Sequence, residues 1–123
     1  MSAFVKVRNL DQEISELPQI MVCDTFGTRL RGLMFRRTLG TDEGLLLVGA
    51  RDQRLDSAIH MLFVPFDLAV VWINSSLEVA DKVLARAWRG AYIPTQPAKY
   101  VLELHPVHFP AYDLGHKVEI IDS

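Results

Sequence analysis

Residues 66–84 read FDLAVVWINSSLEVADKVL, and this stretch decides the fold. From Leu68 to Ile73 every residue is apolar. Such a run is too short for a membrane span or a long buried helix, and it is rich in Val, Ile and Trp. It therefore predicts a strand covered on both faces. Asn74-Ser75-Ser76 is a turn signal, since Asn and Ser side chains bond their own backbone. Leu77 to Leu84 is expected to return as the hairpin partner.

Outward from the hairpin, the same pattern repeats in shorter pieces. Phe4 to Val7, Gln19 to Cys23, Gly44 to Val48, Ser57 to Phe63, Lys99 to Leu104 and Lys117 to Ile121 read as strands. Pro65 breaks the one at 57–63, whose Ile59, Met61 and Phe63 share a side. Residues 51–56 and 106–113 read as loops. Only one helix is predicted, at about residues 28–35. Asp24 or Thr25 is positioned to cap it, and Leu30, Leu33 and Met34 lie at helical spacing. The expected fold is mainly β (α+β): a compact, partly closed sheet or small barrel of about eight short strands with one helix. No Ser/Gly linker or repeat divides the chain, so residues 1–123 are read as one domain. Which strands pair is not readable from this pattern.

Composition narrows the function classes. The net charge is -2, which disfavours a strongly basic nucleic-acid binder or a polybasic membrane-surface protein. No apolar run is long enough to span a membrane. The start, MSAFVKVR, lacks the apolar core of a signal peptide, so the default expectation is a cytoplasmic protein. The single cysteine, Cys23, excludes an internal disulfide framework.

Several blocks together resemble the domain-of-unknown-function 192 family. They are Arg29-Leu-Arg-Gly-Leu-Met34-Phe-Arg36, Ile59-His60-Met61 followed by Pro65-Phe66-Asp67-Leu68, and Pro94-Thr-Gln-Pro97-Ala98-Lys99-Tyr-Val-Leu-Glu103-Leu104, with Gly115 ahead of Lys117 and Val118. Two departures stand out. His105 and Pro106 replace a Gly usual after the Glu-Leu pair, and Gly115-His116 replaces a closing Gly-Asp. The resemblance implies a β-rich domain with a short helix and no established activity.

The candidate site residues come largely from these blocks. Arg29, Arg31 and Arg36 surround Gly32, whose missing side chain permits close approach. Guanidinium groups hold carboxylates and phosphates through paired hydrogen bonds. The competing structural reading pairs them with Asp or Glu on a solvated face. His60 and Asp67 carry the residue types of an acid–base pair, although Asp67 is equally suited to cap a turn or to hold Arg31. Ser57 would complete a triad by residue type only, and no nucleophile-elbow motif surrounds it. His105, His108 and His116, with Glu103 or Asp113, are weaker metal-ligand candidates, and no metal or cofactor is expected. Cys23 and Trp72 read as core, whereas Trp88, between Arg86 and Arg89, suits a binding surface.

The resulting expectation is a small soluble non-enzymatic domain. It would bind an anionic small molecule or peptide beside the Arg29–Arg36 helix through Arg29, Arg31, Gly32, Met34, His60, Met61, Asp67 and Trp88. The alternatives are an acid–base enzyme using His60 and Asp67, and a protein-interaction module.

Overall fold

A computed structural model describes residues 1–123. Its strands are β1 (Phe4–Asn9), β2 (Gln19–Cys23), β3 (Glu43–Gln53), β4 (Ile59–His60), β5 (Leu68–Ile73), β6 (Val79–Ala85), β7 (Ala91–Tyr92), β8 (Ala98–Leu104) and β9 (Val118–Asp122). One α-helix, α1 (Phe26–Arg31), follows β2, and a 3-10 helix (Pro106–Ala111) follows β8. Seven strands form one curled sheet in the order β6-β5-β8-β3-β2-β1-β9, while β4 and β7 form a separate ribbon. All pairings are antiparallel except β2 with β3.

The sheet curls far enough for its two ends to meet. Glu78 bridges Lys117, Val79 N–H donates to His116 O, and Val118 N–H donates to Leu77 O. These bonds satisfy backbone groups that an open edge would leave unpaired. The partly closed sheet expected from the sequence is what the chain forms.

β5 lies inside that sheet, between β6 and β8, and all six of its residues are buried. Alternation sends Leu68, Val70 and Trp72 to one apolar cluster and Ala69, Val71 and Ile73 to the other. Each fully buried Leu, Ile or Val contributes roughly 1.5–3 kcal/mol of transfer free energy. The predicted hairpin forms: Asn74 Oδ1 accepts from the N–H groups of Ser76 and Glu78 and fixes the turn.

Four expectations need correction. Residues 51–53, read as loop, continue β3 to Gln53. The helix is shorter and earlier than 28–35, because Gly32 ends it at φ +48° and Phe35 follows at φ +67°. Thr25 is its N-cap, and the Thr25 and Thr28 side chains each accept from the other's backbone N–H. Leu30 consequently faces solvent, whereas Leu33 is buried. Between Ser57 and Phe63 only Ile59–His60 is strand, and Phe63 turns outward at φ +61°. Residues 106–111, read as loop, form the 3-10 helix, capped by His105 Nδ1 accepting from Val107 N–H.

Candidate functional site

Alternation along β3 and β8 builds the floor of a cavity of about 390 Å³. Leu47, Gly49 and Arg51 point into it from β3, and Lys99, Val101 and Glu103 from β8. The register sets Leu47 opposite Val101 and Leu45 opposite Glu103. The end of α1 and the turn after it, with Arg29, Arg31, Gly32, Leu33 and Met34, form one wall. Residues 56–60, including His60, form another. Apolar side chains make up about half of the lining and charged ones much of the rest, a mixture found in many ligand pockets.

Glu103 is the most unusual group in the molecule. It is only 5% exposed, and its Oε1 has no hydrogen-bond partner. Burial pushes its carboxyl up from 4.5 to about 7. It sits against Cys23, whose thiol is pushed up to about 11 by burial, then by the charges of Glu103 and Asp24. A side chain at Gly32 would place its Cβ 3.5 Å from Glu103 Oε1. The turn that ends the helix thus passes over the carboxyl at ordinary contact distance.

Arg29 occupies a different part of the cavity. Its Nε is buried without a partner. One guanidinium nitrogen, Nη1, lies 3.9 Å from the place a Cβ at Gly49 would take, an ordinary contact that sets the guanidinium beside Gly49. Arg29, Arg31, Arg51 and Lys99 form no ion pair, whereas Arg36 pairs with Glu43 at 2.7 Å. The surplus of unpaired cations favours an anion, and Asp56 offsets only part of it.

The expected site residues therefore divide. Arg29, Arg31, Gly32, Met34 and His60 line one cavity. Met61 is wholly buried in the core. Asp67 stands apart and holds the turn after β6: its carboxylate accepts from Ala87 N–H at 2.9 Å and from Arg86 at 3.1 Å. The Ala87 N–H, with help from Arg86, keeps that carboxyl below the usual range. His60 Nδ1 accepts from Leu62 N–H, so the His60–Asp67 acid–base pair does not form. Trp88 is 54% exposed and lies outside the cavity, edge-on to Phe63, which stacks on Phe35. All three aromatic residues have positive φ, an uncommon conformation for bulky side chains.

The other candidates have structural partners. Ser57 Oγ donates to Gln53 O and Arg54 O. The ring of His108 meets Thr41 O at 2.6 Å, and that of His116 meets Asn9. Trp72 Nε1 donates to Ser57 O within the core. Sequence reasoning left Arg51 and Lys99 out of the site and weighed Glu103 only as a possible metal donor. A lone acid inside Tyr100-Val-Leu-Glu-Leu104 was the available signal for Glu103.

The profile of the DUF192 family, described as "Uncharacterized ACR", matches residues 6–120. A UPF0127 protein of Thermococcus gammatolerans is 38% identical over 84 residues, 68% of this chain and 53% of its own length. A UPF0127 protein of Thermococcus sibiricus is likewise 38% identical, over 69% of this chain and 53% of its own. The chain thus spans about half the length of these relatives. Among solved structures, a protein of unknown function from Novosphingobium aromaticivorans superimposes with a TM-score of 0.80 at 20% identity, covering 94% of this chain and 83% of that one. That likeness shows the fold alone. No helix is long and apolar enough to cross a membrane.

Proposed function

The chain belongs to the DUF192 family, and from that premise we propose that it is a non-enzymatic binding domain whose cavity takes a small anionic molecule or a peptide carboxylate. One observation carries this reading: Arg29 and Arg31, neither with an ion-pair partner, line a partly apolar cavity, and Arg29 Nε is buried with nothing to donate to, whereas Arg51 bonds Gln53 and Lys99 lies over the Tyr100 ring. Leaving a buried donor unmet costs about 1–3 kcal/mol, which a bound anion would recover. Arg29 and Arg31 hold the anionic group, and Met34 with the sheet floor covers its apolar part.

The test is a thermal-shift and calorimetric series with hexanoate, octanoate and phenyl phosphate. Saturating ligand at about 100 times Kd adds about 2.7 kcal/mol to the folded state, a shift of several degrees. Arg29→Ala abolishes the shift, whereas Asp67→Ala, outside the cavity, leaves it intact. Absence of any shift in wild-type protein across the series refutes the proposal.

A second reading rests on the exposed stack of Phe35, Phe63 and Trp88. Backbone strain at three adjoining aromatic residues fits a protein-interaction surface. Dimerisation weakened by Trp88→Ala in analytical ultracentrifugation supports it, and a monomer at all concentrations counts against self-association.

A further inference from the structure

The cavity has two chemically different ends, and the distance between them follows from the strand. Lys99, Val101 and Glu103 alternate onto the cavity face of β8. Residues 99 and 103 are therefore about 13 Å apart at roughly 3.3 Å per residue. Gly49, beside the Arg29 guanidinium, also lies beside Lys99: a Cβ there would stand 3.0 Å from Lys99 O. The Arg29 guanidinium thus lies beside Gly49 and Lys99, four residues along the strand from Glu103, while the Arg29 backbone adjoins Gly32 over the Glu103 carboxyl.

Nothing in the protein completes Glu103. It makes no ion pair, and its Oε1 accepts from no donor. The groups placed near it are Cys23 and the backbone of Gly32, neither of them a cation. A neutral donor would satisfy the oxygen alone. An ammonium would satisfy the oxygen and the charge together, through the stronger kind of hydrogen bond.

Building on the anion-binding reading, we infer that the natural ligand is a two-headed molecule: an apolar stem with an amine at the Glu103 end and an anionic group at the Arg29–Lys99 end. The span of about 13 Å separates Cα atoms, so the side chains and a hydrogen bond of about 3 Å at each end leave at most about 7 Å between the heads. A straight stem of up to five methylenes fits within that length. The class is that of ω-amino acids and of lysine-like side chains next to a carboxylate.

The experiment compares 6-aminohexanoate, hexanoate, 4-aminobutyrate and 6-acetamidohexanoate by calorimetry on the full chain. The expected result is that 6-aminohexanoate binds at least about tenfold tighter than hexanoate and 6-acetamidohexanoate, and no weaker than the shorter 4-aminobutyrate. In Glu103→Gln the advantage over hexanoate falls to about onefold, while Arg29→Ala weakens both. Hexanoate binding as tightly as 6-aminohexanoate to wild-type protein overturns the two-headed ligand and leaves the anion site standing. Binding of neither overturns both. The comparison within wild-type protein decides the matter even if Glu103→Gln folds poorly.

Discussion

Replacing Glu103 with Gln removes an ionisable group while keeping its shape, and the consequence for stability depends on pH in a calculable way. The native carboxyl keeps its proton up to about pH 7, whereas in the unfolded chain it ionises near 4.5. Below 4.5 both states are protonated and the group adds no pH dependence. Between 4.5 and 7 the unfolded state loses its proton and the native state does not, so the wild type loses stability as pH rises. Above 7 the full penalty applies. A displacement of about 2.5 pH units at about 1.36 kcal/mol each amounts to about 3 kcal/mol. For a chain of this size that is a shift of about 10 °C in Tm. Wild type and Glu103→Gln should therefore melt at similar temperatures at pH 4.5. By pH 8 the variant should melt about 10 °C higher. Paired melts across pH 4–8 by circular dichroism or calorimetry measure the difference, in which the pH dependence of the other residues largely cancels. Two curves that stay parallel across that range would refute an ionisable, uncompensated Glu103.

Three further outcomes follow from the packing. Gly44→Ala should destabilise the fold by about 2–3 kcal/mol in urea melts, because its Cβ would meet Glu103 O at 2.6 Å and Leu104 Cδ2 at 2.7 Å. Tyr112→Phe should cost about 1–2 kcal/mol by the same assay, since the buried hydroxyl donates to Val7 O at 2.6 Å and its loss strands that carbonyl. Cys23, 2% exposed and with its thiol raised to about 11, should resist iodoacetamide at pH 8 in native protein and react fully in urea, as read by mass spectrometry.

What the sequence made legible was local. Leu68 to Ile73 and the Asn74 turn announce a covered hairpin because side-chain period and turn chemistry both act within a few residues. The helix was read too long because spacing alone cannot register that Gly32 adopts a positive φ. The parallel β2–β3 pair and the β3–β8 register join distant segments, and no local pattern encodes them. That register brings Arg51 and Lys99 to the cavity beside Arg29, so they were missed while the helix arginines were found. Asp67 misled for the same reason. Its partners, Arg86 and Ala87, lie about twenty residues away, and His60, nearer in sequence, is not one of them. Glu103 was visible as an acid among apolar residues, but its lack of a partner emerges only from the packing.

The pairing of β1 with β9 also governs when this protein can finish folding. A ribosome releases residues 4–9 roughly a hundred residues ahead of 118–122. Until the later segment emerges, β1 can pair only with β2 and presents its other side as an unmatched edge to neighbouring nascent chains. Folding therefore waits on a contact of long sequence separation, and loss of β9 would leave that edge of β1 unpaired.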